Sequence, residues 1–147
     1  MINESRYYLN LFALTLMQDI KDFMQDFFRA RIVEEQNHQT SRLPFRRKYF
    51  TESCRYDSHS ETLQRMESER IVSINEGESD SGVVTEQTFN YSAGTKTIRL
   101  RYQLQIVNNG WVIRNVQTGC FVCEGRGDSN CPSCKGDHWL STGHVRS

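Results

Sequence analysis

The chain has 147 residues, of which 37% are hydrophobic and 24% charged, which is typical of one globular domain rather than a disordered or membrane-embedded chain. Lysine plus arginine equals aspartate plus glutamate at 18 each, so bulk charge favours no class of partner. The apolar run at residues 7–17 is shorter than the roughly 20 residues that cross a bilayer, and it lacks the cleavage site of a secretion signal. We therefore expect a cytoplasmic protein without membrane contact.

Residues 9–35 are predicted to form one long amphipathic helix. Apolar side chains recur there at steps of three and four, at Leu9, Phe12, Ala13, Leu16, Ile20, Phe23, Met24 and Phe27. Charged residues, Arg29 and Arg31 among them, mostly fall on the opposite side. The apolar stripe is expected to pack in the core.

Two shorter helices are predicted next. Pro44 suits the first position of a helix over residues 44–50, because its missing N–H is not needed there. The spacing Ser58-x-x-Glu61 is that of a capping box and predicts a short helix through Met66. The second helix carries Arg46, Arg47 and Lys48 among aromatic residues. This pattern is expected of a solvated helix face, and it also occurs in surfaces that bind nucleic acid or acidic proteins.

Beyond residue 68 the pattern alternates between apolar and polar residues and predicts strands at 70–74, 83–91, 97–107 and 111–122. The third strand is the clearest, with Ile98, Leu100, Tyr102, Leu104 and Ile106 alternating with Arg99, Arg101, Gln103 and Gln105. Such a strand belongs to an antiparallel sheet with one face in water. Helices followed by antiparallel strands indicate the α+β class, with the long helix lying on the sheet.

Asn108-Asn109-Gly110 predicts a hairpin between the last two strands. A two-residue turn at Asn109-Gly110 pairs Ile106 with Ile113, whereas a four-residue loop shifts the partners by two and keeps the faces. In both cases Trp111 and Ile113 join the apolar face, and Asn115 comes with them.

Four of the five cysteines, Cys120, Cys123, Cys131 and Cys134, have the spacing C-x2-C-x7-C-x2-C. Two such pairs complete a closed tetrahedral four-thiolate site, the geometry of structural zinc. In a chain without a secretion signal this spacing favours metal over disulfides. Cys54 stands apart and is predicted to be a small core residue.

The same stretch resembles the zinc motif C-x-x-C-x-G-x-G of DnaJ-type chaperones. Cys120, Cys123, Gly125 and Gly127 match one repeat, and Cys131, Cys134 and Gly136 match most of a second. The resemblance covers residues 120–139 and implies a zinc knuckle that contacts protein; the His-Pro-Asp signature of a J-domain is absent from the sequence. The tetrapeptide Arg126-Gly127-Asp128-Ser129 matches the integrin-adhesion motif, but Gly127 already belongs to the knuckle, so integrin binding is not expected.

The order of elements over residues 5–118 resembles the nuclear transport factor 2-like superfamily, in which a curved sheet wraps a long N-terminal helix into a cone. This resemblance implies a nuclear transport factor 2-like domain at residues 1–118, followed by a four-cysteine zinc knuckle at 119–140 and a flexible tail at 141–147. The superfamily contains isomerases, cyclases, dehydratases, binding adaptors and immunity proteins, so its fold does not decide function.

The favoured hypothesis is a non-catalytic protein-binding or adaptor module with a structural zinc site. An immunity protein is one special case, and a homodimer that pairs through its sheet is another. Candidate partner-surface residues are Arg46, Arg47, Lys48, Arg99 and Arg101. The first alternative is a small-molecule isomerase, cyclase or dehydratase that uses the cone cavity, with Asp57, His59, Tyr102 and Asn115 as candidate cavity residues. The second alternative, nucleic-acid binding through residues 42–48 and the knuckle, has less support.

Overall fold

The computed structural model describes residues 18–37, 43–56, 62–77, 80–120, 129–132 and 139–141. In these ranges the helices are α1 (Ile20–Gln36), α2 (Leu43–Tyr49) and α3 (Leu63–Ser68), and the strands are β1 (Arg70–Asn75), β2 (Asp80–Tyr91), β3 (Gly94–Val107), β4 (Gly110–Gly119) and β5 (Trp139–Ser141). The strands form one antiparallel sheet in the order β1-β2-β3-β4-β5. The predicted α+β class is confirmed. No helix among the described residues is long and apolar enough to cross a membrane.

Helix α1 begins at Ile20, so the prediction of one continuous helix over residues 9–35 is wrong at this point. Asp19 has extended backbone (φ −73°, ψ 165°), and its side chain accepts a hydrogen bond from the N–H of Asp22 at 2.8 Å. This N-cap replaces the carbonyl that a preceding helical turn would supply. Residues 9–17 of the predicted helix lie outside the described residues.

Helices α2 and α3 differ in how closely they follow the sequence pattern. The helix predicted over residues 44–50 is confirmed to within one residue, as α2. The predicted start at the Ser58 capping box is wrong, because α3 begins at Leu63 with Thr62 as its N-cap. The Thr62 hydroxyl accepts from the N–H of Arg65 at 3.3 Å and so satisfies the first turn. Ser58 and Glu61 themselves lie outside the described residues.

The sheet has an inner face, which carries Ile98, Leu100, Tyr102 and Leu104 of β3, and an outer face, which carries Arg99, Arg101, Gln103 and Gln105. The four inner residues are buried, as predicted, and α1 packs against them. The ring of Phe27 lies 5.7 Å from that of Tyr102 in an edge-on arrangement favourable for aromatic pairs. Helix α1 therefore covers the inner face, whereas the four outer-face residues of β3 are only partly buried.

The β3–β4 hairpin turns at Asn108 and Asn109, one residue before the predicted Asn109-Gly110 turn. Both asparagines have positive φ, 52° and 62°, as a two-residue type I′ turn requires. The turn pairs Ile106 with Trp111 and Leu104 with Ile113, so the pairing of Ile106 with Ile113 is wrong and the partners are shifted by two. Asparagine tolerates the left-handed conformation, which explains why the turn does not need Gly110.

A β-bulge in the same hairpin places Asn115 on the outer face, contrary to the prediction. The register shifts between Gln103 and Leu104, which leaves Arg114 as an extra residue on β4. Because side chains alternate along a strand, one extra residue exchanges the faces beyond it. Asn115 therefore lies opposite Gln103 and donates to its side-chain oxygen at 2.8 Å, while Val116 is buried.

A buried ion pair joins α1 to the start of β1. Arg31 continues the apolar stripe four residues after Phe27, and it is fully buried, so its prediction as a residue of the polar side is wrong. Its guanidinium lies 2.7 Å from the carboxylate of Glu69, whose side chain is also fully buried. It further contacts the hydroxyl of Tyr56 at 3.3 Å and the carbonyl of Met66 at 3.4 Å.

The Glu69 carboxylate is satisfied from three elements at once. One oxygen accepts from Gln87 of β2 at 2.7 Å in addition to the Arg31 contact. The other accepts from Tyr102 of β3 at 2.7 Å and from Thr85 of β2. Such saturation is what makes a buried charge tolerable in a core. The network fixes α1 against β2 and β3 at one defined position.

We expect Arg31→Met to lower the free energy of unfolding by about 3–5 kcal/mol, because it leaves the Glu69 carboxylate buried without its cation. Urea titration followed by circular dichroism measures this loss. The matched control is Arg29→Met on the same helix: Arg29 pairs with Asp26 at the surface with 70% of its side chain exposed, and its loss should cost below about 1 kcal/mol. Equal losses for the two variants would contradict this assignment of the buried pair.

Candidate functional site

Cys120 and Cys131 meet directly beyond the end of β4. Both are buried, and their Sγ atoms lie 3.7 Å apart. A disulfide needs a separation of about 2.05 Å, so this is not a disulfide distance. The two residues come from different C-x-x-C pairs, so the chain brings together one member of each pair. Cys123 and Cys134 lie outside the described residues.

The separation of the two sulfurs fits a zinc thiolate centre. Zinc binds thiolate at about 2.3 Å, and two ligands at the corners of a tetrahedron are then about 3.8 Å apart. No group of three or more metal-binding side chains occurs among the described residues, which hold two of the four predicted ligands. Cys120, Cys123, Cys131 and Cys134 are the residues that would hold the metal.

Cys54 is separate from this pair and is a core thiol, as predicted. It is 5% exposed and packs in the core with Phe50 and Tyr56. Burial raises the pKa of its thiol, so the thiolate needed for metal binding or nucleophilic attack is disfavoured.

Strand β5 connects the cysteine segment to the sheet. Cys120 follows β4 at once, and the chain returns at Trp139, which pairs with Gly119; Leu140 then pairs with Thr118. Strands β4 and β5 thus pair on either side of the segment that contains Cys120 and Cys131. Strand β5 is not predicted from the sequence, because three residues are too few to show an alternating pattern.

On the outer face, Trp139 lies beside Arg101. The guanidinium carbon of Arg101 is 4.9 Å from the centre of the Trp139 ring, a cation–π contact. Arg101 also donates from Nε to the side-chain oxygen of Gln117 at 2.8 Å, which holds the guanidinium flat against the sheet. The strand that carries Trp139 therefore brings an aromatic ring onto the predicted partner residue Arg101.

A second charged group on the outer face surrounds Glu86. Its carboxylate accepts from Arg70 at 2.7 Å and from Arg99 at 3.2 Å. The hydrogen bond from Arg70 is the main cause of a lowered pKa of Glu86, and Arg99 adds to it against the opposing effect of burial. Arg99 thus lies on the outer face as predicted, and its charge is partly balanced by Glu86.

The basic residues of α2 are divided by the structure. Arg46 donates to the carbonyls of Tyr56 at 2.7 Å and Cys54 at 2.6 Å, so its guanidinium is engaged within the chain, and its role on a partner surface stays a prediction. It holds the segment after α2 against the helix. Arg47 is exposed, and the ammonium of Lys48 lies 5.4 Å from the centre of the Tyr49 ring. Arg99 and Arg101 belong to a different element, strand β3.

Two surface pockets open beside α2 in the described part of the chain. The first, about 250 Å³, is lined by Leu43, Arg46, Arg47, Phe50, Thr51 and Glu52. The second, about 240 Å³, is lined by Gln18, Phe23, Asp26, Lys48, Tyr49, Asn109, Gly110 and Trp111. A hydrogen bond from Gln18 is the main cause of a lowered pKa of Asp26, so this acid in the second pocket is a weak general base.

The predicted cavity residues do not come together as an active site in the described residues. The hydroxyl of Tyr102 is committed to Glu69, and Asn115 lies on the outer face. Asp57 and His59 lie outside the described residues. Glu69 was not singled out from the sequence; its side chain is fully buried and already accepts from four donors. The polar residues Thr85 and Gln87 occupy inward positions of β2, and this departure from an apolar face is the feature of the sequence that indicates a buried polar cluster around Glu69.

No protein-family model matches this chain, and no curated protein or solved structure matches it either.

We expect the stability contributed by Glu86 to depend on pH. Because its folded pKa is lowered from 4.5, the contribution is present above about pH 4.5 and is lost as the pH falls through the folded value. Thermal unfolding of the wild type and Glu86→Gln should differ most at neutral pH and converge under acid conditions. Exposed Glu67 of α3 provides the control, Glu67→Gln. A difference for Glu86→Gln that is constant down to pH of about 3 would contradict this expectation.

Proposed function

We propose that this chain is a non-catalytic protein-binding module with a structural zinc site. The outer face of the sheet is the docking surface, and the zinc ion fixes the segment that delivers Trp139 to it. The observation that carries the proposal is the contact between Arg101 and Trp139 directly beside Cys120 and Cys131. Tryptophan and arginine are enriched among the residues that dominate protein–protein binding energy.

The polar rim around this pair supports a protein partner. Gln103, Asn115 and Gln117 present amide groups on the outer face, and the Glu86 cluster adds both signs of charge. A central aromatic–arginine anchor with a mixed polar rim is the usual composition of a protein interface. The paired charges give little support to nucleic-acid binding, which depends on a basic surface.

The interior supports a binding role over an enzymatic one. The buried carboxylate of Glu69 has four donors around it, which leaves it poorly placed to take a proton from a substrate. For the fold we retain the nuclear transport factor 2-like cone as a proposal, supported by the order of the helices and the antiparallel sheet. The cytoplasm remains the proposed compartment because thiolate–zinc centres suit reducing conditions.

The zinc site supplies a folding constraint in this proposal. A closed four-thiolate site leaves no open position for water, so the metal would act structurally. Its binding would fix the ends of residues 120–138 and thereby the pairing of β5 with β4. The contribution of such a site to folding is on the order of 10 kcal/mol in small zinc modules.

Metal analysis tests the zinc site. The purified wild type is expected to contain one zinc ion per chain, and Cys123→Ser and Cys131→Ser are expected to lose most of it. Cys54→Ser is the matched control and should retain full zinc, because Cys54 lies in the core. Absence of stoichiometric zinc from protein purified under reducing conditions would contradict the site.

Partner capture tests the docking surface. We expect Trp139→Ala and Arg101→Ala to reduce retention of a specific protein from a lysate of the source cells by tenfold or more, about 1.4 kcal/mol. Arg47→Ala on α2 is the control for loss of an exposed arginine elsewhere and should retain it. Quantitative mass spectrometry measures the retained protein. Retention unaffected by both outer-face variants would contradict the proposed surface.

A further inference from the structure

Strand β1 is an edge of the sheet with little cover. Five of its six residues are exposed, among them Val72 at 46% and Ile74 at 38%. Among the described residues β2 is its one strand neighbour. The other edge is different: Thr51 donates to the carbonyl of Ile113 at 2.9 Å, and β5 pairs with the end of β4. The two edges of the sheet are therefore protected unequally.

The sequence of β1 favours strand pairing. It reads Arg-Ile-Val-Ser-Ile-Asn, with three β-branched aliphatic residues and neither lysine nor proline. Lysine, proline and inward charges are the usual means of preventing an edge strand from pairing with another chain. A register shift between Ile71 and Ser73 marks a bulge at Val72. A bulge partly protects an edge strand against pairing with another chain. The edge is exposed, and three of its six residues are apolar.

We propose that a second copy of this chain pairs with β1 in antiparallel orientation about a two-fold axis. The register that centres the axis between Val72 and Ser73 joins two five-stranded sheets into one. Each Ile71 then lies opposite Ile74 of the second copy, and each Val72 lies opposite Ser73. Backbone hydrogen bonds supply affinity, and the side chains fix the register.

The occupant is a second copy because β1 is complementary to itself in this register. Ile71 pairs with Thr85 of β2 and Ile74 pairs with Val83, so both isoleucine side chains point to the inner face. The two-fold symmetry then creates two contacts between Ile71 of one copy and Ile74 of the other. Arg70, with 75% of its side chain exposed, comes to lie beside Asn75 and near Glu76 of the second copy. Opposite charges at both ends and apolar contacts in the middle select this pairing over a parallel one.

The dimer extends the outer face across both copies. Ser73 and Asn75 pair with outer-face positions of β2, and Arg70 lies opposite Glu86, so the two outer faces continue through the β1 pair. A pair of six-residue strands is at the small end of protein interfaces, so the association is expected to be concentration-dependent. This inference stands whether or not the outer face binds another protein.

Sedimentation of the full chain over a concentration series tests the proposal. The wild type should show a monomer–dimer equilibrium, and Val72→Lys should weaken it at least tenfold, because the two introduced ammonium groups, each opposite Ser73 of the other copy, then lie diagonally across the axis from each other. The matched control is Val107→Lys at the end of β3, a valine of similar exposure at 43% and far from β1 along the sheet. It should dimerise as the wild type does. Circular dichroism of both variants checks that they are folded.

Hydrogen exchange identifies the surface. Amides of Arg70–Asn75 should exchange more slowly as the wild-type concentration rises, and this dependence should disappear in Val72→Lys. A wild type that remains monomeric across the series overturns the proposal. So does a dimer that persists in Val72→Lys or that leaves exchange in β1 independent of concentration. Zinc content and partner capture are measured separately, so their failure would not affect this result.

Discussion

The buried pair of Arg31 and Glu69 is the constraint on which the arrangement of the other elements depends. A charge in a core is stable when its partner and its remaining hydrogen bonds are all present. Glu69 lies between α3 and β1 in the chain, and its carboxylate is bound by donor groups from α1, β2 and β3. These elements must all be assembled before the pair is satisfied, which favours a single packing of the helix on the sheet.

With the inner face occupied by this network, the outer face is the surface that we propose for partner binding. Arg101 and Trp139 are held there by contacts within the sheet, so binding of a protein at this surface would cost little side-chain freedom. The cysteine segment lies at the same end of the sheet as this pair. In this proposal the inner face of the sheet serves the core and the outer face serves binding.

The sequence was informative where a pattern repeats. The alternation in β3 predicted its buried and exposed faces, because four successive pairs follow it. Single residues that depart from a pattern could not be placed: Arg31 was assigned by its charge, although its position four residues after Phe27 puts it on the buried stripe. Asn115 was placed by counting from the turn, which fails when a bulge intervenes. The short β5 depends on pairing with a distant segment, which local sequence does not encode.

The bulge at Arg114 gives β4 one residue more than its pairing with β3 uses. Removal of that residue would leave a regular ladder in which Ile113 and Val116 both keep their present side of the sheet. Removal of a residue from the regular part of β4 after the bulge would instead move every side chain on one side of the deletion to the opposite face. Side-chain amides would then point into the core. Chain length is thus adjustable at one point of this strand, so insertions and deletions among related chains should be concentrated there.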